Sequence, residues 1–155
     1  MSSQTAIREG GLADRAFALD LGKRTMGDSV ASFRYHTQAL LDASYEGLLE
    51  YVFAQSHVLL VAERDGAAAG FILLLDTLPD EVTRMPQAFV VYMAVEPWAR
   101  RSGMGKQLLA AAEAAARERR LPYMGLMVTE ENEAARRLYE SAGYLSERRL
   151  LCKPL

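Results

Sequence analysis

The sequence has little cysteine, no excess of positive charge and no long apolar run, and each shortage excludes a class of protein. The single cysteine, Cys152, excludes an internal disulfide framework and a zinc site built from cysteines. The net charge of −2 gives no electrostatic reason to expect a nucleic-acid partner. No apolar run approaches the ~20 residues that span a bilayer, so no membrane partner is expected. The first residues lack the basic and apolar regions of a signal peptide, which predicts a cytoplasmic protein.

The composition is that of an ordinary globular domain. Of the 155 residues, 50% are apolar and 25% are charged, and a chain of this length can bury a sizeable core. We therefore predict a single domain over residues 1–155. Cys152 lies in an apolar run, where a small buried or edge hydrophobe is a better interpretation than a nucleophile.

The spacing of apolar residues predicts a mixed α/β protein. Asp65-Gly66 is a strong hairpin signal, whereas the strand, helix and strand over residues 88–128 imply a parallel pair joined by a right-handed crossover. Helices are therefore expected on both faces of one sheet. The predicted strands are 5–8, 57–62, 70–75, 88–95, 123–128 and 144–151, and the predicted helices are 12–24, 45–54, 103–120 and 132–142. Residues 29–43 have no clear pattern.

Residues 92–106 contain the most informative pattern of the chain. A buried strand stops at Pro97, and a short turn leads through Gly103 and Gly105 into an alanine-rich helix. The first amides of a helix have no intrahelical partner, and with the helix dipole they form an anion site. Arg100, Arg101 and Lys106 add positive charge beside these amides. The pattern therefore predicts a ligand that carries phosphate.

Two common phosphate sites do not fit this segment. A nucleotide-hydrolysing P-loop needs a glycine where Arg100 stands and Ser or Thr where Gln107 stands. The dinucleotide pattern fails because Leu108 occupies the position of its third glycine. A diphosphate bound without metal remains, and this suits coenzyme A.

Two motifs, taken together, resemble the GNAT superfamily of N-acetyltransferases. Val95-x-Pro97-x-x-Arg100-x-x-Gly103-x-Gly105 resembles the coenzyme A signature of that family. The second motif is Asn132, then Leu138-Tyr139-Glu140, then Gly143-Tyr144, and the order of elements agrees over nearly the whole chain. The resemblance implies acetyl-CoA as cosubstrate and a mostly antiparallel sheet of six or seven strands, with a splayed parallel pair at its centre.

The resemblance also implies how acetyl-CoA is held. The pantetheine arm would enter the gap of the splayed pair and hydrogen-bond one strand as if it were another strand. Asn132 would contact the pantetheine or the acetyl region. The main-chain groups implied for the pantetheine are those of Met93, Ala94 and Val95, and the groups implied for the pyrophosphate are those of Arg100, Arg101, Ser102, Gly103, Met104, Gly105 and Lys106.

The reaction implied by the resemblance is direct attack of a neutral amine on the thioester. A backbone N–H near Met93–Val95 would stabilise the developing oxyanion, and Tyr139 would donate a proton to the leaving thiolate. The group that removes the proton of the amine could be Glu96 or a water relay, because Glu96 could also be an ordinary carboxylate at the end of a strand. Tyr139 could equally be a half-buried aromatic residue that packs its helix against the sheet, and Asn132 could cap a helix.

The acceptor is a second open point. Asp76, Asp80 and Glu81 lie on or beside the loop before residue 88 and would attract a cationic small amine. A protein or peptide acetyltransferase and a non-catalytic acyl-CoA sensor are the alternatives. Homodimers are common among the proteins that this chain resembles, and the strand predicted at residues 144–151 is a candidate for pairing, although Arg148 and Arg149 would oppose it.

Overall fold

The central sheet has five strands that follow one another in space as they do in sequence. In the computed structural model, which describes residues 3–155, the first four strands are antiparallel and the last two are parallel. This parallel pair and the helix between its strands are the strand, helix and strand unit predicted from sequence. The strands are β1 (Thr5–Glu9), β2 (His57–Arg64), β3 (Ala67–Leu75), β4 (Ala88–Val95) and β5 (Met124–Leu126).

Helices cover both faces of this sheet, which confirms the predicted α/β class. Helices α1 and α2 share one apolar cluster with the sheet, and α3 contributes to a second cluster, against which α4 packs. Short 3-10 turns precede α1, follow α1 and precede α3. The helices are α1 (Arg15–Thr25), α2 (Gln38–Phe53), α3 (Met104–Glu118) and α4 (Glu133–Ser141).

Strand β3 separates the two clusters. Alternate side chains of a strand point to opposite faces, so Phe71 and Leu73 join the α1/α2 cluster while Ile72 and Leu74 join the α3 cluster. All four are fully buried or nearly so. This two-sided burial is what the uninterrupted apolar run of β3 predicts.

The hairpin between β2 and β3 forms where the sequence predicts it. Asp65 and Gly66 have φ angles of 50° and 81°, and two successive left-handed residues are the requirement of a type I′ turn. Helix α2, in contrast, starts at Gln38 rather than at Tyr45. Thr37 caps it by accepting a hydrogen bond of 3.1 Å from the Leu40 N–H.

The strand predicted at residues 144–151 does not form. The sheet therefore has five strands instead of six or seven, and the parallel pair lies at its edge, not at its centre. Strand β5 spans only three residues and offers few backbone groups for pairing. Arg148 instead reaches Asp80 at 2.5 Å and Glu81 at 3.4 Å. Cys152 is exposed, so the prediction of a buried or edge position for it is wrong.

Within residues 3–155 no helix is both long enough and apolar enough to cross a membrane. The same residues contain no group of three or more metal-ligating side chains placed to hold an ion.

Candidate active site

The site is built around the point where β4 and β5 separate. The two strands pair only from Ala88 with Met124 to Val90 with Leu126. Beyond Val90, β4 continues to Val95 and is paired with β3 alone. The β4 edge that faces away from β3 therefore presents unpaired backbone groups, to which an extended ligand could add as a strand does. Met93, Ala94 and Val95, predicted for the pantetheine, lie in this free segment.

A β-bulge lies at the same point. Leu73 pairs with Tyr92 and Leu74 with Val90, so Val91 is an extra residue in β4. A bulge bends its strand and increases the local twist, which turns β4 away from β5 where the two part. The sequence around Val91 has no glycine or proline, so no local pattern predicts the bulge.

The N-terminus of α3 faces this opening with free amides. Gly103 precedes the helix with φ 80°, and the Gln107 N–H makes the first backbone bond of the helix, 3.1 Å to the Gly103 carbonyl. The amides of Met104, Gly105 and Lys106 thus have no intrahelical acceptor. Arg101 also adopts a left-handed conformation, with φ 59°, and such turns collect N–H groups into an anion-binding concavity.

Positive charge adjoins these amides. Arg100 is tied to the end of β4, because its Nε donates to the Val95 carbonyl at 3.1 Å. Arg101 and Lys106 are exposed. Free amides and three cations fit a diphosphate without help from a metal. Gly105 has a packing role as well, since a Cβ there would lie 3.1 Å from Leu138 Cδ2 on α4.

Tyr139 is a residue of α4. Its ring packs edge-on against Tyr144, with 5.9 Å between ring centroids, on the α3 face of the sheet. Burial raises the pKa of Tyr139, and the neighbouring Tyr92 raises it further. The phenol therefore keeps its proton at neutral pH, as the predicted proton donor must.

Asn132 caps α4. Its Oδ1 accepts a hydrogen bond of 3.2 Å from the Ala135 N–H, which leaves the NH₂ group of the side chain free to donate. The capping role is therefore observed, while contact with acetyl-CoA stays a prediction.

The sequence matches a known family over most of its length. Residues 27–144 match the acetyltransferase (GNAT) family. The chain belongs to this family. It is an N-acetyltransferase, and acetyl-CoA is the acetyl donor of the family. No curated protein matches the chain.

Solved structures of acetyltransferases have the same fold. A proposed acetyl transferase from Pyrococcus furiosus is 25% identical with TM-score 0.83, covering 98% of this chain and 100% of the other. The aminoglycoside acetyltransferase AAC(6')-Iy, bound to a bisubstrate analogue of coenzyme A and acetylneamine, is 19% identical with TM-score 0.73 and 99% coverage of both chains. A ribosomal-protein-alanine N-acetyltransferase from Brucella melitensis is 22% identical with TM-score 0.71, covering 97% and 99%.

The carboxylates of this acetyltransferase that were considered from sequence are already paired. Glu96 follows β4 and accepts hydrogen bonds of 2.6 and 3.1 Å from Arg24, with 14% of its side chain exposed. Asp76 pairs with Arg119 at 3.2 Å. Asp76, Asp80 and Glu81 lie between β3 and β4, at the end of β4 opposite the phosphate-binding turn. The structure therefore does not bring them together with Tyr139.

One element of the site was not predicted, and we call it the bridging segment, residues 25–32. At β4, the Thr25 and Tyr92 hydroxyls lie 2.8 Å apart. After β5, the Thr129 hydroxyl donates to the Ser29 carbonyl at 2.6 Å, and the Ser32 N–H donates to the Glu131 carboxylate at 2.9 Å. The segment thus connects the two diverging strands. It overlaps the part of the sequence that has no periodicity, so no local signal indicated it.

Proposed function

We propose that this acetyltransferase is a single domain that moves an acetyl group from acetyl-CoA to the primary amine of a small molecule, by direct attack of the neutral amine. The observation that carries the proposal is the opening between β4 and β5. Two features support it: free helix amides that suit a diphosphate follow β4, and α4 carries a tyrosine that keeps its proton.

The chain would hold acetyl-CoA along β4 and the turn into α3. The free backbone edge at Met93, Ala94 and Val95 suits the amide-bearing pantetheine arm. Arg100 and the residues up to Lys106 suit the pyrophosphate, and the free NH₂ of Asn132 suits a carbonyl of the arm. Bound there, acetyl-CoA supplies the acetyl group as a thioester, which an amine can attack without an enzyme nucleophile.

Proton transfer is divided between two groups. Tyr139 holds a proton that the departing thiolate can take. An amine with pKa near ~10 must lose a proton before or during its attack. Glu96 or a water chain would receive it. Both carboxylate oxygens of Glu96 already accept hydrogen bonds from Arg24, so this contact favours the water route.

A small acceptor is favoured by the bridging segment. Its hydrogen bonds to β4 and to the loop after β5 cover one side of the opening, whereas an extended peptide needs an open groove or a long free edge. The acidic residues between β3 and β4 do not contribute to this argument, because they are paired and distant. The similar solved structures include an aminoglycoside acetyltransferase and a ribosomal-protein acetyltransferase. They support the fold and do not favour either kind of acceptor.

The experiment that tests this proposal is a thiol-release assay with acetyl-CoA and two acceptor panels. One panel contains tryptamine, spermidine and neamine, and the other contains peptides with a free N-terminal alanine or an internal lysine. We expect turnover with at least one small amine. Turnover with peptides alone would establish the protein-acetyltransferase alternative, and coenzyme A binding without any transfer would establish the sensor alternative.

Two further parts of the proposal concern the protein in the cell. We propose that it acts in the cytoplasm and that two copies associate through residues 144–155. The support for association is the apolar and exposed character of that segment.

A further inference from the structure

Tyr92 is a residue of the opening to which neither motif assigns a role. It lies on β4 directly after the bulge residue Val91, where β5 has already left the sheet. Its ring packs against Tyr45, with 5.2 Å between centroids, and against Phe71 on the α1/α2 side. The residue is half-buried, so part of it remains accessible to a ligand.

The hydrogen bonds around Thr25 determine which way the Tyr92 proton points. The Thr25 hydroxyl donates to the Leu21 carbonyl, one helical turn earlier, at 2.9 Å. Because a hydroxyl has only one proton, the Thr25 oxygen must act as the acceptor in its 2.8 Å contact with Tyr92. The Tyr92 proton is therefore directed at Thr25, and the phenol oxygen presents only lone pairs to any further partner.

Tyr92 and Tyr139 consequently have opposite hydrogen-bonding character. They pack against clusters on opposite faces of the sheet, and Tyr92 is near enough to raise the pKa of Tyr139. Tyr139 has a proton to give, whereas the proton of Tyr92 is committed to Thr25. Burial raises the pKa of Tyr92, so Tyr92 is neutral at physiological pH.

We infer that the Tyr92 hydroxyl accepts a hydrogen bond from the attacking amine, and that Thr25 is the positioning residue that keeps this hydroxyl in its accepting orientation. The inference rests on the proposed function and names the residue that binds its acceptor. Acceptance through oxygen suits an N–H of a neutral primary or secondary amine and selects against an acceptor nitrogen without hydrogen.

The chemistry balances without a proton on Tyr92. The nitrogen lone pair forms the new bond to the acetyl carbon, the bond from that carbon to sulfur breaks, and Tyr139 protonates the sulfur. The nitrogen loses its proton to Glu96 or water, from which Tyr139 is reprotonated. Tyr92 only orients the nitrogen by accepting a hydrogen bond from one N–H. Removing its hydroxyl should therefore weaken binding of the amine substrate more than it lowers kcat.

The test compares Tyr92→Phe with Tyr45→Phe. Tyr45 is a matched control, because its hydroxyl also makes one 2.8 Å bond to α1, at the Ala18 carbonyl, from a buried position. The acceptor is whichever of tryptamine, spermidine and neamine the wild type acetylates fastest. We expect Tyr92→Phe to raise the KM for that amine about tenfold, the scale of one lost hydrogen bond. The KM for acetyl-CoA should stay unchanged, and Tyr45→Phe should leave both constants unchanged.

Variants of Thr25 test the positioning role. Thr25→Ser keeps the hydroxyl and should keep the wild-type KM for the amine, whereas Thr25→Val should raise it as Tyr92→Phe does. In the Tyr92→Phe background, Thr25→Val should have no further effect on that KM, because Thr25 acts through Tyr92.

Two results would overturn the inference while leaving the proposed function intact. They are an unchanged KM for the amine in Tyr92→Phe, and additive effects in the double variant. A wild-type protein that acetylates none of the amines would contradict the proposed function itself, and the inference would fall with it.

Discussion

Tyr139 and Tyr144 are neighbouring phenols with different surroundings, which makes them a useful pair at the residue scale. The Tyr144 hydroxyl donates to Glu113 at 3.2 Å, whereas nothing in the described chain hydrogen-bonds the Tyr139 hydroxyl. We expect Tyr139→Phe to lower kcat roughly a hundredfold, within the range of general acid catalysis, and to leave the Kd of coenzyme A unchanged. Steady-state kinetics and calorimetry measure the two constants.

The control for that prediction is Tyr144→Phe. It removes one hydroxyl from the same aromatic pair and should retain most of the wild-type kcat. Equal kcat values in the two variants would remove Tyr139 from proton transfer and leave it a packing residue.

Gly103 is the glycine whose conformation the phosphate-binding turn requires. At φ 80° an added Cβ is strained even though no atom lies within 4 Å of it, and the strain is about 1 kcal/mol. We expect Gly103→Ala to weaken coenzyme A binding several-fold, because relief of the strain rotates the first amides of α3. Gly47→Ala is the control, since Gly47 lies in α2 with open space around its Cβ position and no positive φ.

Calorimetric titration of both variants with coenzyme A checks this prediction. Gly47→Ala should bind like the wild type and unfold at a slightly higher temperature, because alanine favours a helix by up to ~1 kcal/mol over glycine. A Gly103→Ala variant with wild-type affinity would show that the amides do not hold the pyrophosphate.

The residues of the site differ in how well sequence could indicate them. Arg100, Gly103 and Asn132 lie in local patterns whose physical meaning is readable, namely a turn into a helix and a helix cap. Thr25 and Tyr92 contact each other across 67 positions of the chain, and nothing near either residue signals the contact. Local motifs therefore predict the residues proposed for acetyl-CoA, whereas the residues proposed for the acceptor come from a contact that only the fold reveals.

At the scale of elements, the same distinction explains which strands were predicted correctly. Strands β2, β3 and β4 have long apolar runs and a hairpin with its own turn signal. Residues 144–151 alternate apolar and charged residues less regularly, and their pairing depends on the edge that β5 provides. Because β5 ends at Leu126, where β4 turns away, that edge is too short to order a further strand.

The junction of β1 and α1 gives a prediction about pH. Arg8 donates to both Asp14 oxygens at 2.8 and 2.9 Å, and the Gly11 N–H donates to the same carboxylate at 2.8 Å. These bonds, the one to Arg8 foremost, lower the pKa of Asp14 from 3.8 to about 2. A lowered folded-state pKa stabilises the protein above the unfolded value, and this stabilisation is lost as the pH falls from about 4 toward 2.

Urea unfolding of Asp14→Asn at several pH values checks the sign. At pH 7 the variant should be less stable by about 1 kcal/mol, a modest value because Arg8 is partly exposed. The difference from wild type should shrink as the pH is lowered from 4 toward 2. A difference that stays constant over this range would show that the ion pair contributes nothing through its charge.

At the scale of the whole molecule, a ligand that binds only the folded chain must raise its melting temperature. With free coenzyme A at about a hundred times its Kd, the gain is about 2.7 kcal/mol, or roughly 5–10 °C for a domain of this size. The predicted diphosphate site consists of amides and cations, so the shift in melting temperature should be the same with EDTA and with magnesium. Differential scanning calorimetry measures it, and a shift that requires magnesium would contradict a metal-free site.

The surface of residues 144–155 supports a prediction of self-association. Leu145, Leu150 and Leu151 are 92%, 85% and 86% exposed, and isolated chains rarely present several apolar side chains so close together. Arg148 would repel a second copy, but its ion pairs with Asp80 and Glu81 offset that charge. A second copy would cover these leucines.

We therefore expect the wild-type protein to sediment as a dimer at micromolar concentration. Replacing Leu150 and Leu151 with lysine should give a folded monomer, because neither side chain belongs to the core, and its melting temperature should fall only by the contribution of association. Leu12→Lys is the matched control, since Leu12 is 78% exposed but lies far along the chain, before α1, and it should leave the dimer intact. A monomeric wild type would mean that the leucines face solvent in the working enzyme. Loss of dimerisation in Leu12→Lys as well would place the interface beside α1, away from residues 144–155.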